Sequence, residues 1–111
     1  MEVSWAELSE SYVVSFTEDG MRASTVYKKD GSFVRFTRYY IERDLPFYIL
    51  MKIKKEYPGK RIYGITEIST IRKRGDSVVE YFVKLEDSRF WITLRISNDL
   101  ILSVSEKFRK A

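Results

Sequence analysis

Apolar and polar positions alternate along most of the chain, and the alternation changes period once. Val3 to Leu8 and Tyr12 to Phe16 are short apolar runs separated by Ser9-Glu10-Ser11, a pattern that predicts two strands joined by a tight hairpin. Tyr12, Val14 and Phe16 share one face of the second strand. Glu18-Asp19-Gly20 turns the chain into a third strand, Met21 to Tyr27, which ends in Lys29-Asp30-Gly31. An Asp-Gly pair supplies the positive φ angles of a two-residue hairpin, so Ser32 to Ile41 should return antiparallel.

The period then lengthens. Pro46, Ile49, Leu50, Ile53 and Tyr57 form a single helical stripe. Asp44 is placed to cap the helix, Pro46 falls in its first turn, and Pro58-Gly59 stops it, giving a helix over residues 45–57 with Lys52, Lys54, Lys55 and Glu56 on its solvated side. Strand periodicity resumes at Arg61 to Arg72, turns at Lys73-Arg74-Gly75-Asp76, and continues through Ser77 to Leu85. After the turn Glu86-Asp87-Ser88, the residues Phe90, Ile92, Leu94 and Ile96 alternate with Trp91, Thr93 and Arg95. Asn98-Asp99 leads into a last strand, Leu100 to Phe108.

The two strand-rich halves echo each other. At an offset of 69 residues Tyr12-Val13-Val14 lies over Tyr81-Phe82-Val83, Phe16 over Leu85, Asp30 over Asp99 and Tyr39 over Phe108. At an offset of 60 residues Trp5, Glu7 and Leu8 lie over Ile65, Glu67 and Ile68. The pattern predicts one α+β domain over residues 1–111, an antiparallel sheet of about eight strands built from repeats 3–41 and 62–109, with the connecting helix on one face.

Composition narrows the chemistry. The 111 residues suffice for one core that folds without a metal or a disulfide. Aromatics make up 15% of the chain, which favours strands. Cysteine and histidine are both absent, which removes thiolate nucleophiles, Ser-His-Asp triads and the usual zinc ligands. The expectation is a protein that is not an enzyme and takes no cofactor or metal. A net charge of +4 favours acidic partners in general without diagnosing nucleic acid. No apolar run approaches the roughly 18 to 20 residues that span a bilayer, and Met1-Glu2-Val3-Ser4-Trp5 lacks a signal-peptide pattern. Either the protein is cytoplasmic or an export signal was removed ahead of Met1.

The helix ending in Tyr57-Pro58-Gly59-Lys60, the strand Ile62-Tyr63-Gly64-Ile65-Thr66-Glu67-Ile68, and the hairpin of Tyr81-Phe82-Val83-Lys84-Leu85 with Phe90-Trp91-Ile92 together resemble the PepSY-like group related to the β-lactamase-inhibitory-protein fold. That resemblance implies a small exported protein of Bacteroidetes type, periplasmic or at the cell surface, that binds other proteins through an open sheet face. It carries no catalytic residues over to this chain. The family unit opens with a helix, and nothing before Val3 in this sequence supplies one.

If Tyr81, Val83 and Leu85 point inward with Phe90, Ile92 and Leu94, then Phe82, Lys84, Trp91, Thr93 and Arg95 share the opposite face. An exposed Trp beside Phe, Lys and Arg is the composition of an interface anchor, for a protein or peptide partner or for a homodimer. The competing reading makes these residues ordinary cross-strand pairs. Trp5 is expected to be buried. Glu7 and Glu67, equivalent in the two halves, are expected at the surface without an acid/base role. An alternative function, a cytoplasmic nucleic-acid-binding domain, would use Arg35, Arg38, Arg72, Lys73 and Arg74, with Tyr39 and Tyr40 as stacking rings.

Overall fold

The computed structural model describes residues 2–18, 20–72, 74–97 and 99–111. Strands β1 (Glu2–Glu7), β2 (Ser11–Glu18), β3 (Met21–Lys28) and β4 (Phe33–Tyr40) are followed by a single-turn 3-10 helix (Glu42–Asp44) and α1 (Phe47–Glu56). Then come β5 (Arg61–Ile71), β6 (Ser77–Glu86), β7 (Phe90–Ile96) and β8 (Leu102–Arg109). The strands lie in chain order in one sheet, every neighbouring pair antiparallel. This is the α+β architecture expected from the alternation: tight hairpins join neighbouring strands within each half, and the longer segment carrying α1 joins β4 to β5.

The register places Val83 against Leu94 and Leu85 against Ile92, and these side chains meet Ile49 and Ile53 of α1. Leu45, Ile62, Ile65 and Ile96 complete the core. All of it lies between α1 and strands β5 to β8. The same pairing recurs in the other half, where Val14 opposes Thr25 and Phe16 opposes Ala23. There, however, no α-helix of the described residues lies over the sheet. Val14 and Phe16 are half-buried, whereas Val83 and Leu85 are sealed.

Several local expectations are corrected. The helix is shorter than 45–57: Asp44 ends the 3-10 turn and Pro46 takes the N-cap position, where no side chain caps the helix. Leu45 is extended and plunges into the core, two residues before the helix begins at Phe47. The turn at Lys29-Asp30-Gly31 is a three-residue loop in which only Gly31 has positive φ, at 89°. Asp30 instead accepts hydrogen bonds from the Ser32 backbone N–H and hydroxyl, which closes the loop without a left-handed Asp. Trp5, expected inside, is 66% exposed, since β1 lies at the sheet edge and beyond the reach of α1. Asp19, Lys73 and Asn98, which the sequence places in turns, lie outside the described residues.

Candidate interaction face

Alternation along β6 and β7 sends one set of side chains to α1 and the other to the uncovered face. Register pairs Phe82 with Arg95, Lys84 with Thr93 and Glu86 with Trp91, so the five residues singled out in the sequence do share one face. They are not equally free. Arg95 is held by Glu80, and Phe82 and Thr93 are half-buried between neighbours, while Lys84 is exposed and Trp91 remains 38% exposed.

Trp91 is the centre of a cluster larger than the sequence indicated. The Tyr63 ring meets it edge-on, with centroids 5.2 Å apart at 75°. Phe108 is its cross-strand neighbour on β8, and the Lys110 ammonium stands 4.2 Å from its ring centre. Glu86 lies beneath, accepting from Arg61 and, at 2.9 Å, from Lys110. Three aromatic rings are therefore set beside the paired charges of Arg61, Glu86 and Lys110.

Tyr63 reaches this face because β5 is irregular. The pairing slips between Ile62 and Gly64, opposite Leu85 and Lys84, so one extra residue is accommodated. Ile62 and Ile65 both remain in the core, and Tyr63 turns away from it. The signal was in the sequence: two isoleucines three apart on a strand cannot both face inward under a period of two unless a bulge intervenes.

Toward β1 the same face is paved with small hydroxyl side chains. Ser4, Ser15, Ser24 and Thr37 lie in register across four strands. The guanidinium of Arg22 stacks 5.2 Å from the Tyr39 ring, and this pair divides two open clefts of about 610 and 410 Å3. The second cleft reaches Tyr63 and Lys84, joining the polar half of the face to the aromatic cluster.

The described residues of the alternative reading do not all share one face. Arg35 and Arg38 are an odd number of positions apart on a regular stretch of β4 and point to opposite faces. Arg72 and Arg74 both approach Asp76 of their own turn, at 3.5 and 4.0 Å. Arg38 donates to the Tyr40 hydroxyl at 3.1 Å, and Tyr40 donates to Glu67 at 2.7 Å. Burial together with Glu67 raises the Tyr40 hydroxyl above its ordinary range, and burial, then Glu67, pushes Tyr81 up to about 12. These phenols stay protonated near neutral pH, as structural donors. Glu67 is thus half-buried in a network rather than simply at the surface, whereas Glu7 is bound by Lys29 at 2.7 Å on the exposed side. Three strands separate the two carboxylates.

Among the described residues no three acidic side chains cluster in a way that could hold a metal ion, and no helix is long and apolar enough to cross a membrane.

An eight-stranded antiparallel meander with a helix on one face and an open second face defines the fold class. It is the fold of the BLIP-like proteins. A BLIP-like protein of Bacteroides fragilis superposes with a TM-score of 0.74 over 98% of this chain and 74% of its own, at 14% identity. A protein of Bacteroides eggerthii, provisionally described as periplasmic, matches with a TM-score of 0.68 over 96% of this chain and 76% of its own, at 11% identity. A DUF2874 family protein of Bacteroides uniformis gives 0.66 over 96% and 76%, at 14% identity. No protein-family model and no curated protein matches the sequence.

Proposed function

We propose that this domain is a non-catalytic, extracytoplasmic binding module, which presents the sheet face opposite α1 to a protein or peptide partner in the manner of an inhibitor. The observation that carries this reading is the Trp91–Tyr63–Phe108 cluster, solvent-facing and ringed by Arg61, Glu86 and Lys110. Trp91 is the anchor, Lys84 and the Arg95–Glu80 pair supply charge selectivity, and Phe82 and Thr93 floor the space between them. Exposed rings of this kind cost solubility unless they are used, which favours a contact role over ordinary cross-strand packing. The fold shared with BLIP-like proteins and with a protein provisionally described as periplasmic supports an extracytoplasmic setting.

Partner capture from the native envelope fraction, with Trp91→Ala and Lys84→Glu as comparators, tests the reading. Both substitutions should abolish or sharply reduce capture, and Trp91→Ala should change folding stability by no more than about 1 kcal/mol, as expected for a surface position. Capture unaffected by Trp91→Ala, or a loss of several kcal/mol typical of an emptied core, would refute it.

A further inference from the structure

We propose that β1 is a homodimer seam, pairing antiparallel with β1 of a second copy about a twofold axis through Ser4. The two edges of the sheet are built differently. β8 carries Lys107 and Arg109 and is broken by a bulge opposite Thr93 and Leu94, where the Ser105 hydroxyl bonds the Thr93 carbonyl at 3.1 Å. Positive charge and a bulge are the devices that stop a sheet edge from recruiting another strand. β1, Glu-Val-Ser-Trp-Ala-Glu, has neither. Its six residues pair regularly with β2 on one side, all six are exposed, and none is Lys, Arg or Pro.

Register selects a second copy as the occupant. With Ser4 opposite Ser4 of the other copy, Val3 meets Trp5 twice and Glu2 meets Ala6 twice, so no like charges oppose each other. Val3 and Trp5, 59% and 66% exposed, then cover one another on the α1 side of the sheet. Centring the pair on Trp5 instead would set Val3 against Glu7, the carboxylate already held by Lys29. Centring it on Val3 would set Val3 against itself and Glu2 against Ser4, separating Val3 from Trp5. Registers displaced by a single residue would oppose Trp5 to a polar side chain from the other face. A twofold pairing makes each favourable contact twice from one strand sequence, an advantage that an unrelated peptide lacks. The backbone ladder would extend the sheet across both copies, on an edge remote from the Trp91 cluster.

Sedimentation equilibrium of the full chain over a range of concentrations, with melting curves as a folding control, tests the seam. The wild type should dimerise reversibly, and the amides of β1 should gain hydrogen-exchange protection as concentration rises. Val3→Lys and Trp5→Glu should each weaken the dimer at least about tenfold. Mixing the Val3→Lys chain with the Trp5→Glu chain should restore association, because the proposed register sets those two positions face to face. Trp91→Ala should leave the dimer unchanged. A chain that stays monomeric to its solubility limit, a dimer indifferent to Val3→Lys and Trp5→Glu, or one abolished by Trp91→Ala would each overturn the seam. The last outcome would move self-association to the opposite face and leave the binding role of Trp91 standing.

Discussion

Leu100 shows how one residue can be held against its own preference. It adopts φ 60°, the left-handed region that side chains avoid, in the loop where its N–H bonds Ser97 O at 2.9 Å. At the corresponding loops Gly31 and Gly75 have φ 89° and 90°. Leucine persists at the third because its side chain packs against the core, offsetting a backbone cost of about 1–2 kcal/mol. Leu100→Ala removes the packing and keeps the strain, whereas Leu100→Gly removes both. Chemical denaturation should therefore find the glycine variant more stable than the alanine variant by about 1 kcal/mol, the reverse of the usual order.

Asp87 is the residue where pH should register. Lys60, then the backbone N–H groups of Arg89 and Phe90, hold its carboxyl well below its ordinary 3.8. Those N–H groups donate at 2.7 and 2.8 Å, closing the turn between β6 and β7. The folded state thus binds its proton less readily than the unfolded one. Stability contributed by Asp87 is present above pH 3.8 and drains away as pH falls through the lower folded value. Melting temperature should drop on acidification below about pH 4, and Asp87→Asn should flatten part of that drop while lowering stability at neutral pH. Tyr81 acts at the other end with the opposite sign. Its raised pKa makes stability fall as pH rises from 10 toward about 12, and Tyr81→Phe should remove that loss.

Among the elements, α1 is the one whose loss the fold should feel most. Its inner side is formed by Ile49 and Ile53, 2% and 1% exposed, and Leu45 joins them in the core from the extended segment ahead of the helix. Ile53→Ala empties space in the core it shares with Leu85 and Leu94 and should cost about 2–5 kcal/mol by denaturant titration. The outer side of α1 is less polar than its lysines suggested, since Phe47, Tyr48 and Met51 are exposed there. Element type was legible because the alternation is clean: eight strands and a helix follow from period two and period 3.6. Element ends were less so. Asp44 has the side chain of a cap, but packing draws Leu45 inward and delays the helix until after Pro46.

For the molecule as a whole, the governing feature is an uneven core beneath an even sheet. Four strands are roofed by α1 and four are not, although Val14–Thr25 and Phe16–Ala23 repeat the pairing of Val83–Leu94 and Leu85–Ile92. Opening free energy should follow burial, so native-state hydrogen exchange should find β6 and β7 slowest and β1 fastest at low protein concentration. Equal protection in the two halves would mean that something else covers the first.

Strand order, the helix with Ile49 and Ile53 turned inward, and the face shared by Phe82, Lys84, Trp91, Thr93 and Arg95 were determined by sequence alone, because period and register are local properties that the backbone transmits from one hairpin to the next. The exposure of Trp5 and the meeting of Tyr63, Phe108 and Lys110 around Trp91 were decided only in three dimensions. Each depends on which strands the helix reaches, where a bulge breaks the alternation, or what lies across the sheet. Those are long-range facts that no window of neighbouring residues contains.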